Sequence, residues 1–152
     1  MDKESDLISK QADARMKRYL QKIKHGQSRC ALLHEWLGEK GLETDLRTTL
    51  AIDKAFQEVA EVMMDLLAMM LKDRSIPPLD DYTNITKVIE EGLLPKAAEP
   101  ILRETNGLRN KLIHVYNDID GAIVLRNVRN LLPQLESYLG VIEAWVKQTK
   151  PR

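Results

Sequence analysis

Four polar residues on the last turns of a predicted helix could do acid–base chemistry on a bound anion. Residues 109–116 read Arg-Asn-Lys-Leu-Ile-His-Val-Tyr, which places Arg109, Asn110, His114 and Tyr116 close together. Histidine is the side chain whose ordinary pKa suits proton transfer near neutral pH. Arginine stays charged and offers a planar fork of N–H donors that fits phosphate oxygens. These residue types therefore indicate proton transfer beside a bound anion.

The position of Arg109 on its helix is unusual. At about 100° per residue, the predicted buried arc of this helix places Arg109 among apolar side chains. That arc is defined by Ala98, Ile101, Leu102, Thr105, Leu108, Leu112 and Ile113. A buried charge needs a partner, because an uncompensated one costs several kcal/mol. A buried ion pair with Glu61 or Asp65, a subunit interface and an anion-binding site would each explain the arginine, and the last two are compatible.

The elements that would position these residues are all predicted to be helices. Helical periodicity and good helix formers dominate, and no segment alternates with the period of a strand. The expected class is all-α, an up-and-down bundle of four to five helices. The expected helices cover residues 3–39, 45–73, 82–91 and 95–115, and a last helix runs from the turn at 117–121 to 147. The first of them is expected to bend at residues 25–28. Pro95 is expected to open the fourth helix and Pro133 to kink the fifth.

Composition indicates one domain over residues 1–152, in a soluble, cytoplasmic protein. A chain of 152 residues can bury a core without a disulfide, and the single cysteine, Cys30, excludes an internal one. The first residues lack an apolar signal-peptide core, and the most hydrophobic run is interrupted by Asp65. We therefore expect no contact with a membrane.

Charge is balanced overall but unevenly distributed. Lysine and arginine total 23, as do aspartate and glutamate, so no global basic excess points to a nucleic-acid partner. Residues 14–34 nevertheless carry six basic and no acidic side chains, whereas residues 43–65 carry six acidic and two basic ones. This asymmetry could steer an anionic ligand or pair one helix with another.

The pattern Arg-x4-His-x-Tyr, formed by Arg109, His114 and Tyr116, resembles the signature of HepT-like proteins of the HEPN superfamily. The neighbouring sequence agrees, with a long second helix, a short helix ending in Glu-Gly-Leu-Leu, and a final long helix after Asn-Asp-Ile-Asp. The resemblance covers most of residues 47–145, while the first 40 residues match only in being helical. Such proteins are ribonuclease toxins of type VII toxin–antitoxin systems, paired with an MntA-like nucleotidyltransferase antitoxin.

The resemblance implies a metal-independent endoribonuclease without cofactors, whose site is shared across a homodimer. Two copies of His114 would serve as base and acid, and Arg109 would stabilise the phosphorane. Asn110 lies one turn from His114 and would orient the imidazole or a phosphate. The motif tyrosine, Tyr116 here, is where the partner attaches AMP, which would block RNA by charge and bulk. The three histidines have no metal-ligand spacing among them.

The basic stretch offers further candidate RNA contacts. Arg15, Arg18 and Lys22 fall within a narrow arc of the first helix and could contact phosphates. A solvated helix face is the favoured interpretation of these residues, because charged helix faces are common.

Two other functions fit the same residues. In a non-catalytic HEPN module, Arg109 and His114 would hold a nucleotide or present a substrate to a separate nucleotidyltransferase. In a purely structural helical protein, Arg109 would form an ion pair, His114 would interact with the helix dipole, and Tyr116 would be part of the core.

Overall fold

The computed structural model describes residues 2–115 and 117–149, and this part of the chain is helical without strands. The helices are α1 (Lys3–Leu37), α2 (Leu46–Asp73), α3 (Asp81–Glu90), α4 (Ala98–His114) and α5 (Gly121–Gln148), with a short 3-10 turn at Leu42–Thr44. The predicted all-α bundle is therefore confirmed. The bounds of α2, α3 and α5 lie within about one residue of those expected, which is the usual uncertainty of a helix end.

Aspartates begin four of the five helices. The side chains of Asp2, Asp45, Asp80 and Asp120 each accept a hydrogen bond from a backbone N–H of the first turn. Such caps satisfy donors that have no partner within the helix. The side-chain and backbone hydrogen bonds from Thr48 lower the pKa of Asp45, and those from Thr83 lower the pKa of Asp80. The chain thus marks most of its helix starts locally.

Helix α4 is the exception, and its start was predicted wrongly. It has no side-chain cap and begins at Ala98, three residues after Pro95. The Pro95 carbonyl accepts a hydrogen bond from the N–H of Ala98 at 2.9 Å, so Pro95 belongs to the preceding turn. This turn follows Gly92, whose φ of 69° lies in the left-handed region that favours glycine. Helix α4 then packs against α2, α3 and α5.

Helix α2 is the centre of the bundle. It packs against each of the other four helices, and α1 also packs on α5. One hydrophobic cluster joins buried residues from all five helices. The side chains from α2 in that cluster are Ile52, Ala55, Phe56, Val59, Ala60, Val62, Met63, Met64, Leu66, Leu67, Met70 and Leu71. These side chains form a broad apolar arc on α2, and polar residues beside that arc pair with α1 and α4.

The uneven charge distribution pairs α1 with α2. Arg15 contacts Asp73 at 2.6 Å, Lys22 contacts Asp65 at 2.9 Å, and Arg29 contacts Glu58 at 3.2 Å. Burial raises the pKa of the Glu58 carboxyl, but hydrogen bonds from Arg29 and His25 outweigh it and leave that pKa below its ordinary value. Of the two roles considered for the asymmetry, helix pairing is observed.

Gly26 allows close approach of α1 to two other helices. A Cβ atom at this position would lie 3.2 Å from Val62 Cγ1 of α2 and 3.2 Å from Leu139 Cδ1 of α5. Helix α1 continues without interruption through residues 25–28, where a bend was expected. The glycine is therefore required by packing between helices.

In the described ranges, none of the helices is long and apolar enough to cross a membrane.

We expect opposite effects of two helical glycine substitutions on stability. Gly26→Val should lower the free energy of unfolding by about 1–3 kcal/mol, because the added methyls overlap Val62 and Leu139. Gly140→Ala should raise it by about 0.5–1 kcal/mol, because Gly140 lies within α5 and a Cβ there meets no atom within 4 Å. Urea unfolding of both variants measures the difference. A Gly26→Val variant as stable as the parent would contradict the close packing described here.

Candidate active site

The C-terminal half of α4 carries the predicted site residues. Arg109 and Asn110 lie within the helix, His114 is its last residue, and Val115 caps it with an N–H that donates to the Lys111 carbonyl at 2.8 Å. Arg109 and Asn110 are partly buried, whereas His114 is exposed. No described side chain hydrogen-bonds to the His114 imidazole. Helix α4 thus exposes His114 to solvent at its C-terminal end and carries the partly buried Arg109 five residues earlier.

Arg109 bridges three helices. Its Nη1 donates to Glu61 Oε2 of α2 at 3.0 Å, and its Nη2 donates to Asp81 Oδ2 of α3 at 3.0 Å. The side chain of Arg109 is only 14% exposed, while those of Glu61 and Asp81 are 59% and 35% exposed. We call this arrangement of Arg109, Glu61 and Asp81 the arginine clamp. Of the ion pairs expected for Arg109, the one with Glu61 is confirmed, whereas Asp65 pairs with Lys22 instead.

The clamp fixes the guanidinium in one orientation. The Nε of Arg109 is buried and has no hydrogen-bond partner in the described part of the chain. Both terminal amino groups donate to carboxylates that are themselves partly exposed, so solvent reaches the acceptors of these two hydrogen bonds. Because Glu61 and Asp81 are partly solvated, a phosphate could share or displace their hydrogen bonds without opening the core.

Asn110 contacts Arg109, and not His114. Its Oδ1 accepts a hydrogen bond from Arg109 Nη2 at 3.3 Å. No hydrogen bond joins Asn110 to His114 among the described residues, although the two lie one helical turn apart on one face. The structure therefore brings Asn110 to the arginine clamp and shows no hydrogen bond from the described residues to the His114 imidazole.

Apolar side chains are exposed around the His114 end of the bundle. Ile113 and Val115 flank the histidine, and Leu46, Leu50 and Ile123 are exposed at the N-terminal ends of α2 and α5. Cavities of about 480 and 460 Å³ open here, and Ile119 and Val124 line both of them. Single exposed apolar residues are ordinary, but a group beside candidate catalytic residues marks a surface suited to a partner.

Asp53 is one of the six acidic residues of the 43–65 stretch, and it lines the smaller of these cavities beside Leu112. Burial raises the pKa of its carboxyl to about 6. The burial of Asp53 results from the packing of α2 against α4 and α5. The raised pKa therefore depends on how these three helices meet.

The basic candidates on α1 have different environments. Arg15 is 6% exposed, is bound to Asp73, and lies 4.9 Å from the Tyr19 ring centroid and 5.6 Å from that of Trp145. The prediction that Arg15 contacts RNA phosphates is therefore wrong, because its guanidinium is part of the core. Arg18 is exposed, and both Arg18 and Lys22 line a cleft between α1 and α2.

Tyr116, the predicted site of modification, lies outside the described residues. Within residues 2–115 and 117–149, no three His, Cys, Asp or Glu side chains are grouped so that they could hold a metal ion.

Comparison with known proteins identifies the family. The family model for ribonuclease HepT-like proteins matches residues 14–142, so the similarity begins within α1, earlier than the sequence motifs indicated. An Archaeoglobus fulgidus protein named "Putative RNase" is 33% identical over 133 residues, which cover 88% of this chain and 94% of that protein.

Two solved structures share the fold. A tri-AMPylated Shewanella oneidensis HEPN toxin in complex with an MNT antitoxin superposes with a TM-score of 0.77 at 20% identity, over 83% of this chain and 96% of that one. The Bacillus subtilis protein YutE, described as a cytosolic protein of unknown function, superposes with a TM-score of 0.76 at 13% identity, over 87% of this chain and 90% of that one. The family match and the similarity over nearly the whole archaeal relative together show that the chain belongs to the ribonuclease HepT-like family.

Proposed function

We propose that the chain is the toxin of a HepT/MntA-like pair, a metal-independent endoribonuclease whose site is formed by Arg109 and His114 from two copies of the chain. The observation that carries this proposal is the arginine clamp, which holds a largely buried guanidinium in place on the same helix as an exposed histidine. Membership in a ribonuclease family supports RNA as the substrate.

The geometry of one helix favours a site shared by two copies. Arg109 and His114 are five residues apart, so their side chains leave α4 in directions that differ by about 140°. One copy therefore does not readily direct both groups to a single phosphate. A two-fold axis beside the C-terminal end of α4 would bring two arginines and two histidines together and would cover the apolar side chains of Ile113 and Val115.

The proposed reaction uses the 2′-hydroxyl of the RNA. One His114 takes the hydroxyl proton while O2′ forms a bond to phosphorus, and the protonated His114 of the second copy donates a proton to O5′ as the P–O5′ bond breaks. The products are a 2′,3′-cyclic phosphate and a free 5′-hydroxyl. Arg109 stabilises the negative charge that develops on the phosphorane oxygens, and Asn110 supports the guanidinium.

We expect His114→Ala to reduce RNA cleavage by about a hundredfold or more, because it removes both the base and the acid. His34→Ala is the matched control, since His34 is also exposed but pairs with Glu136 on another face. Cleavage of total RNA in the presence of EDTA measures the effect and tests metal independence. Equal cleavage by the two variants would contradict the assignment of His114. Loss of parent activity in EDTA would contradict metal independence.

Removal of the carboxylates that position Arg109 should also impair cleavage. We expect Glu61→Ala/Asp81→Ala to lower kcat between about ten- and a hundredfold, because the guanidinium loses its fixed orientation. Glu61→Gln/Asp81→Asn keeps hydrogen-bond acceptors and should restore most of kcat, and Asp65→Ala is a control on the same helix face. Full activity of the double alanine variant would contradict the positioning role. A stabilised, fully active Arg109→Met variant would show that Arg109 is only structural.

The proposed partner is an MntA-like nucleotidyltransferase that attaches AMP to Tyr116. AMP groups two residues from His114 would place phosphates where the RNA phosphate must bind, and repulsion would exclude it. Co-expression should arrest toxicity and raise the intact mass by one or more adenylyl groups. Tyr116→Phe should abolish the mass increase, whereas Tyr138→Phe should not. An unmodified parent chain that is still neutralised would contradict this mode of control.

A further inference from the structure

A cleft lined by residues of α1 and α2 lies away from the arginine clamp. It has a volume of about 700 Å³. Arg18 and Lys22 contribute from α1, and Lys72 contributes from the end of α2. Val62 and Met69 supply apolar surface to the same cleft. Cationic and apolar side chains thus line one groove at the surface, and we call it the α1–α2 cleft.

The balance of charge in the α1–α2 cleft is positive. Its one lining carboxylate, Asp73, accepts hydrogen bonds from Arg15 and from the Tyr19 hydroxyl, which neutralise it from the core side. Arg18 and Lys72 form no salt bridge with any described residue, whereas Lys22 is paired with Asp65. That pair is about 40% exposed on both sides, so solvent or a ligand can reach it. The cleft therefore presents cationic groups to an anion, with two of them unpaired.

Helix α2 contributes residues both to the α1–α2 cleft and to the arginine clamp. Glu61, which holds Arg109, lies one helical turn from Asp65, which holds Lys22. Lys72 follows about 16 Å beyond Glu61 along the helix axis, at 1.5 Å per residue. Arg18, Lys22 and Lys72 thus bring three cations to one cleft. Several cations in one groove suit a chain of phosphates better than a single small anion.

We propose that the α1–α2 cleft binds phosphates of the single-stranded RNA substrate through Arg18, Lys22 and Lys72. The apolar side chains of Val62 and Met69 would contact a base or ribose between phosphates. This proposal rests on the proposed ribonuclease function, and it replaces the buried Arg15 with Lys72 among the predicted RNA contacts. The cleft would hold the strand while Arg109 and His114 act on it.

Paired charge variants test the cleft. Arg18→Gln/Lys72→Gln removes two cations that line it, and Lys17→Gln/Lys24→Gln removes two exposed cations of α1 that line a different, shallower cavity. Binding of a fluorescent single-stranded RNA is measured in the His114→Ala background, so that no cleavage occurs. The cleft variant should bind about tenfold more weakly, and its slope of log affinity against log salt should fall by about 1.4, or 0.7 for each lost phosphate contact. The control variant should stay within about twofold of the parent.

The outcomes separate this proposal from the proposed function. Equal weakening in the two variants, both folded by circular dichroism, would overturn the cleft, while cleavage by the parent would leave the ribonuclease function intact. Absence of any cleavage by the parent would contradict the ribonuclease function. The difference in RNA affinity between the cleft variant and the control variant would still test the cleft. A cleft variant that binds RNA like the parent but no longer associates with the antitoxin would overturn the RNA assignment in favour of a protein surface.

Discussion

The proposed chemistry depends on how one guanidinium is held. The clamp ties Arg109 of α4 to Glu61 of α2 and Asp81 of α3, and it leaves the Arg109 Nε buried. An arginine that was simply exposed would lose side-chain entropy whenever it bound a phosphate. Here the fold has already fixed it, and the partly exposed carboxylates compensate its charge. The packing of three helices therefore sets the position of the cation to which we assign stabilisation of the transition state.

Ion pairs on the other side of α2 serve a different purpose. Arg15 and Asp73 form a core contact with Tyr19, and burial together with the hydrogen bond to Asp73 raises the pKa of that tyrosine far above its ordinary value. Closer to the surface, the side chains of Lys22 and Asp65 are half-exposed, so their ion pair can be replaced more easily by contacts with solvent or a ligand. The interface between α1 and α2 thus contains a buried structural pair, Arg15 and Asp73, and a half-exposed pair, Lys22 and Asp65, that a ligand can reach.

Sequence reasoning found the helices and the motif because their signals are local. Periodicity and the aspartate caps mark α2 and α5, and the apolar arc of α4 showed that Arg109 needs a partner such as Glu61. The start of α4 was missed because Pro95 resembles a first helical residue, although a turn separates it from Ala98. Arg15 was misjudged because one helix turn does not reveal that Asp73 and Trp145 enclose it. Asp81 was not foreseen, since the docking of α3 alone brings it to Arg109.

The central claim is that two copies of the chain complete one site. A heterodimer of one unaltered subunit and one His114→Ala subunit, purified with two different tags, tests it most directly. If the two histidines act as base and acid on one phosphate, a single His114→Ala subunit should reduce cleavage by the heterodimer nearly to that of the His114→Ala homodimer. A heterodimer that keeps half of the parent activity would show two independent sites and would contradict the claim.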